Sequence, residues 1–311
     1  MISDTLETSP SGWRRWWIYQ KERFPFLAHG PLIFAFSFCA VSYSARLRID
    51  HWPDWQPVLV AFICCLIFFL QLRIADEFKD AEEDARWRPY RAVPRGLVTL
   101  RELGIVFIFG GLVQLGLALW WSPWLALVLI VAWAYLAAMS FEFGAREWLK
   151  ARPITYMWTH MMIMPIVDFF ATASDWTAHG HFPPRGLAFF LGASFCNGLV
   201  IEIGRKIRTP EQEEEGVETY SILWGPKKAA IIWLGMLVVT GICAAFAASQ
   251  VHVGQSVSLA LGAVLLLISI HVFLFLKQQK NKQAKMIETL AAVWTLCLYL
   301  SLGILPGVFH A

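Results

Sequence analysis

Long apolar runs separated by short charged ones make up most of the chain. A membrane-spanning helix needs about 20 mostly apolar residues. Nine runs meet that requirement, at about 30–47, 55–75, 102–121, 123–142, 153–173, 187–205, 228–249, 255–276 and 287–309. The pattern predicts an all-α, polytopic membrane protein with nine transmembrane helices. Residues 1–29 differ: they are polar and basic and lack the short apolar core and cleavage site of a secretory signal. Trp13, Trp16 and Trp17 stand beside Arg14, Arg15, Lys21 and Arg23, the pattern of an amphipathic helix lying in the membrane interface. The expected organisation is an interfacial segment over 1–29 and one transmembrane domain over 30–311, with no linker.

The placement of charge orients the spans. Cytoplasmic loops are enriched in Lys and Arg. Here the N-terminal segment and the loops after spans two, four, six and eight hold nearly all of the 26 Lys and Arg residues. The other face receives only Arg46, Arg48 and Arg185, and Arg73 lies within or beside span two. The N-terminus and these loops are therefore expected in the cytoplasm, and the C-terminus on the opposite side. Two long polar loops, about 76–101 and 206–227, follow even-numbered spans four apart. This spacing suggests two tandem four-helix units of the same orientation plus one further helix. It argues against an inverted-repeat transporter, whose halves face opposite ways.

Composition agrees with the membrane reading. Hydrophobic residues make up 57% of the 311 and charged residues 16%, with a mean hydropathy of +0.53; a soluble domain carries about 25% charged residues. Such a balance excludes a disordered chain, an ordinary cytosolic enzyme and a nucleic-acid binder with a basic stripe. The six cysteines all lie inside apolar runs with no CxxC pair, so they read as small buried hydrophobes rather than as ligands or nucleophiles.

Three constellations carry chemistry. The first ends span two: Asp76, Asp80 and Asp84 follow an i, i+4, i+8 spacing that places them on one helix face. Like charges at that spacing repel. A hard divalent cation such as Mg²⁺, which takes carboxylate oxygens and shares the rest of its shell with phosphate, would relieve them. Without such a cation the run is a solvated acidic helix end, balanced by the arginines that follow. The second constellation is that arginine loop, Arg86-Trp87-Arg88-Pro89-Tyr90-Arg91-Ala92-Val93-Pro94-Arg95-Gly96. Its guanidinium forks suit phosphate, or else lipid headgroups. The third follows span six. Glu202 ends an apolar run, where a carboxylate is costly. Arg205 and Lys206 are adjacent phosphate donors, and Glu211, Glu213, Glu214 and Glu215 add carboxylates or a solvated charge run. Two polar residues lie deeper: Asp168 inside span five, expected to pair with His160 or to serve a function, and Asn197, five residues before Glu202. Tyr43, Tyr156 and Trp158 are further aromatic candidates.

With these motifs the chain resembles the UbiA superfamily of intramembrane prenyltransferases. That family's first motif, NDxxDxxxD followed by an RPxxxxPxG-type loop, is similar to Asp76-Glu77-x-x-Asp80-x-x-x-Asp84 with Arg88-Pro89, Pro94 and Gly96. Asp replaces Asn and Glu replaces the first Asp, both keeping oxygen ligands. In the second motif, (N/D)xxxKDxxxDxxxGxxT, Glu202 takes the leading position, and Gly216 and Thr219 match the end. Arg205-Lys206 stands where Lys-Asp is usual, and about two extra residues bring Glu211 near the later Asp. Lys150, after span four, is similar to a family lysine that contacts diphosphate.

The resemblance implies a Mg²⁺-dependent transfer of an isoprenyl group from a polyprenyl diphosphate to an aromatic or other lipophilic acceptor within the bilayer. It implies two Mg²⁺ ions bridging the two acidic motifs, with metal ligands Asp76, Asp80, Asp84, Glu202 and Glu211, and diphosphate ligands Arg88, Arg91, Lys150, Arg205 and Lys206. Asp168 and Asn197 would then line the acceptor or tail cavity. The alternatives are a terpene cyclase of the same superfamily, which ionises the donor without an acceptor, and a non-catalytic transporter or lipid-binding protein on the same scaffold.

Overall fold

The computed structural model describes residues 12–180 and 182–309, and all its regular elements are helices. In chain order they are α1 (Trp13–Arg23), α2 (Phe26–Ile49), α3 (Trp55–Lys79), α4 (Ala81–Trp87), α5 (Leu100–Trp121), α6 (Pro123–Ser140), α7 (Arg146–Lys150), α8 (Pro153–Met161), α9 (Ile163–Trp176), α10 (Leu187–Gly204), α11 (Tyr220–Trp224), α12 (Pro226–Ser249), α13 (Gly254–Gln278), α14 (Asn281–Gly303) and α15 (Leu305–Phe309). A helix satisfies all its backbone groups within one segment, which hydrocarbon demands. Local signals set several boundaries. Thr99 and Glu102 form a capping box that starts α5, and Ser122 caps α6 with Pro123 at its first position.

Eight of these helices are long and apolar enough to cross a membrane: α2, α3, α5, α6, α10, α12, α13 and α14. The predicted span at 153–173 is not one continuous helix. It is interrupted at Met162, between α8 and α9. The cause is Pro165, which cannot donate to the carbonyl of Met161 and whose ring crowds that carbonyl. Hydropathy does not register this break, because Pro165 lies among Met164, Ile166 and Val167.

The helices α2, α3, α5, α6, α9, α10, α12, α13 and α14 pack in chain order, and α14 returns to α2, closing a ring. Short connections favour such sequential neighbours. Helix α9 also lies against α2 and α3. Helix α14 lies between α13 and α2. The ring closes where Gly303 meets α2: a Cβ there would lie 2.5 Å from the Cα of Cys39. Small residues permit this kind of backbone approach inside membranes.

Within the predicted interfacial segment, residues 1–11 lie outside the described residues, and α1 covers 13–23. Trp13 and Trp17 are exposed while Tyr19 is buried. Arg15 pairs with Glu102, Arg23 with Glu77 and Arg95 with Glu22, so α1 is bound along the end of α3 and the start of α5.

Candidate active site

Loops that are far apart in sequence meet at one end of the ring. Lys150 bonds Glu83 (2.9 Å), and Thr209 bonds Asn281 at the start of α14. Gly216 packs against the Trp87 ring, where φ is +75° and a Cβ would lie 2.7 Å from the indole. These contacts join the basic loops that charge counting assigns to one face. Part of the opposite face is sealed by Arg48, which binds Asp175 at 2.8 Å with help from Ser44.

The first acidic motif spans a break. Helix α3 ends at Lys79, Asp80 caps it, and α4 carries Asp84. The amide of Asp80 still donates to the carbonyl of Asp76 (2.9 Å) and that of Asp84 to the carbonyl of Asp80 (2.8 Å), but the three carboxylates find different partners. Asp84 is buried, and both Arg88 (2.8 Å) and Arg91 (2.6 Å) bind it. Among the described residues Asp76 forms one ion pair, with Arg73 at 3.6 Å, and Asp80 forms none. Burial, then the neighbouring Asp76 carboxylate, raise the pKa of Asp80 above its ordinary value, with Lys79 opposing. Both carboxylates also lie where the C-terminal carbonyls of α3 add negative potential. Glu77 points elsewhere. It is 2% exposed and is held by Arg23 and, at 3.9 Å, by Arg73. The oxygen that substitution preserves at position 77 thus anchors α1.

The second motif is arranged differently. Glu202, at the end of α10, is 4% exposed. Lys206 Nζ lies 2.9 Å from its Oε1, and Arg205 donates to Oε2 from Nε (2.7 Å) and Nη2 (2.6 Å). Lys206 also stands over the Tyr220 ring at 5.6 Å. The Arg205 guanidinium is held charged first by Glu202 and also by Asp76, which links the two motifs electrostatically. Glu211 is exposed on the turn Pro210–Gln212. Glu213 accepts from Thr219 (2.8 Å), and Glu214 pairs with Arg208 (3.3 Å). Thr219 itself caps α11 through the amide of Ile222 (3.1 Å). Among the described residues, no three carboxylate, His or Cys side chains form a ready metal cage.

A third cluster borders the first motif, and the motif pattern does not reveal it. Lys79 Nζ reaches Glu142 (2.7 Å), the Tyr156 hydroxyl (2.5 Å) and His160 Nε2 (3.2 Å). Tyr156 and His160 stack at 3.8 Å. Glu142 takes a left-handed φ of +51°, an uncommon state for a residue with a side chain and one that marks functional sites. Glu142 ends an apolar run just as Glu202 does, so the same rule about intramembrane carboxylates flags it.

The expected Asp168–His160 pair does not form. His160 belongs to the cluster above. Asp168 lies eight residues further on, about 12 Å along a helix, and accepts from the Tyr299 hydroxyl (2.6 Å). Asn197 accepts from Thr295 (3.1 Å). Both sit in a buried polar seam between α9, α10 and α14, with Asp168 Oδ1 and Asn197 Nδ2 unpartnered. Of the aromatic candidates, Tyr156 lies in the site. Tyr43 is buried and donates to the carbonyl of Ala247 (2.9 Å), and Trp158 is exposed. Lys150 is engaged with Glu83, whose pKa that hydrogen bond lowers.

Known proteins were compared with this arrangement. The sequence matches the UbiA prenyltransferase family over residues 34–302. No curated protein matches it significantly. Solved structures share the fold at low identity. A digeranylgeranylglyceryl phosphate synthase is 14% identical with a TM-score of 0.65, over 95% of this chain and 99% of its own. A UbiA homologue from Aeropyrum pernix K1 is 13% identical with a TM-score of 0.66, over 87% and 95%. A UbiA homologue from Archaeoglobus fulgidus, bound to DMAPP and Mg²⁺, is 12% identical with a TM-score of 0.54, over 90% and 98%. The family match takes in both acidic motifs and the apolar helices between them, and on that extent the chain belongs to the UbiA prenyltransferase family as a multi-pass integral membrane protein.

Proposed function

We propose that the protein is a Mg²⁺-dependent intramembrane prenyltransferase that moves an isoprenyl group from a polyprenyl diphosphate to a lipophilic acceptor. The observation that carries this reading is a pair of carboxylates, Asp76 and Asp80, which among the described residues have one ion pair for the two of them, at the end of the ring that also holds Arg205, whose charge Asp76 supports. Mg²⁺ is commonly held by one or two carboxylates plus substrate phosphates, and Asp76 and Asp80 fit that role. When bound, the ion neutralises charge on the leaving diphosphate.

The chain's own residues supply the remainder. Arg205 and Lys206 approach the diphosphate from the second motif. Arg88 and Arg91 do so from the loop, aimed by Asp84, and Lys150 from the rim. Such fixed cations stabilise charge that develops as the bond between the prenyl C1 and the diphosphate oxygen breaks. The prenyl group leaves as an allylic cation, a carbon of the acceptor donates an electron pair to it, and that carbon then gives up its proton to the released diphosphate. Low-dielectric helix walls exclude water that would quench the cation. Tyr156, stacked on His160 and bonded to Lys79, borders the site. The Asp168–Tyr299 and Asn197–Thr295 pairs offer deeper polar contacts for an acceptor headgroup. In this reading both acidic motifs and the N-terminus face the cytoplasm.

The test is diphosphate release by the purified protein with Mg²⁺ and donors of several chain lengths, with and without a membrane lipid extract, and with products read by mass spectrometry. Release that requires the extract, with one prenyl unit added to an acceptor, is the expected result. Release without it, giving a terpene or terpene alcohol, would identify a cyclase. No release under any condition would identify a non-catalytic protein.

A further inference from the structure

We infer that the second motif of this chain carries its own cations in place of a second divalent metal, so that the donor diphosphate is held by one Mg²⁺ together with Lys206 and Arg205. The inference deepens the proposed function and rests on its assignment of Mg²⁺ to Asp76 and Asp80.

Glu202 is the one deeply buried carboxylate of the second motif, and both of its oxygens are committed. Lys206 holds Oε1, and Arg205 holds Oε2 twice. A divalent ion at those oxygens would lie against two cationic groups in a weakly screened environment, where like charges repel strongly. Among the described residues no second carboxylate of this motif pairs with them. Glu211 is exposed on its turn, Glu213 is engaged with Thr219, and Glu214 pairs with Arg208. Residues 202, 205 and 206 together carry a net positive charge, the sign a diphosphate requires. Both cations also sit at the C-terminus of α10, where the helix dipole favours positive charge.

Their remaining donors are accessible. The Arg205 side chain is 52% exposed, and a guanidinium has five N–H groups, of which Glu202 uses a minority. Lys206 has three, and one meets Glu202. Tyr220 lies beneath the ammonium and fixes its direction. Arg205 also feels Asp76, one of the two carboxylates that would hold the single ion. The second motif thus contributes phosphate-binding cations directly rather than ligands for a metal.

The test counts Mn²⁺, used in place of Mg²⁺, by electron paramagnetic resonance. The full chain is kept in detergent, with inorganic diphosphate as the probe. One ion per chain is expected, and none in Asp80→Ala. Two ions would overturn the inference and leave the Asp76–Asp80 assignment intact. No ion in the unaltered chain would overturn that assignment and the one-ion count together. Lys206→Ala should still bind one ion while binding diphosphate roughly 10- to 100-fold more weakly, the range for losing a hydrogen bond to a charged group. Unchanged diphosphate affinity would overturn the role of Lys206. If Lys206→Ala does not fold, Lys206→Gln gives the same readout with a longer side chain.

Discussion

The first acidic motif has three aspartates and commits one of them, Asp84, to two arginines; the second has one buried glutamate and commits both of its oxygens. In each motif a buried carboxylate draws in two cations, because an unpaired charge in a low-dielectric setting is too costly to keep. The consequences differ with how many carboxylates are left over. After Asp84 is satisfied, Asp76 and Asp80 still present negative charge at a helix C-terminus, so this end attracts a cation. After Glu202 is satisfied no other carboxylate of the second motif pairs with Arg205 or Lys206 among the described residues, and the motif's surplus charge is positive. Two motifs that look alike as acidic sequence therefore present opposite signs to a substrate.

The largest expected effect tests the negative end. Asp80→Ala should reduce turnover by at least about 100-fold, measured as diphosphate release against Mg²⁺ concentration. Full activity would remove Asp80 from the metal assignment and erase the contrast between the motifs.

Asp84→Asn separates the clamped carboxylate from the free ones. Arg88 and Arg91 would lose a partner that is 2% exposed at its side chain, with a stability cost of about 2–4 kcal/mol, read as a lowered Tm in detergent. The KM for the donor should rise more than kcat falls, because the arginines remain but are no longer aimed. A loss of bound metal equal to that in Asp80→Ala would instead make Asp84 a ligand.

Glu77→Gln is expected to weaken the hold on α1 by about 1–3 kcal/mol, seen as faster hydrogen exchange over 13–23, with turnover retained. Loss of metal binding in this variant would return residue 77 to the site. The smallest effect belongs to the deep seam. Tyr299→Phe removes the hydroxyl donated to Asp168, for about 1 kcal/mol. A shift in product distribution, larger than the stability change explains, would place the acceptor at that seam.

Much of the candidate site is legible from residue type and spacing. Asp76, Asp80 and Glu202 stand out because charge at the end of an apolar run is costly, and the structure places all three at one end of the ring. The roles of Glu77 and Asp84 were not legible. Spacing along an ideal helix gives neither the break at Asp80 nor the arginines that claim them, one of which, Arg23, is 54 positions away. The Lys79–Glu142–His160 cluster was missed for a related reason. Glu142 looked like the end of a span, and its partner lies 63 positions earlier.

The sequence alone determined the membrane class, the run of apolar segments, the clustering of basic loops on one face and the family, because hydrophobic burial and charge placement act locally along the chain. Tertiary structure decided which carboxylates are neutralised, where α1 docks, how Pro165 divides a predicted span, and that Asp168 answers Tyr299 rather than His160. Those outcomes depend on which groups converge when the ring closes, since the pairing of buried charges is set by distances between helices and not by order along them.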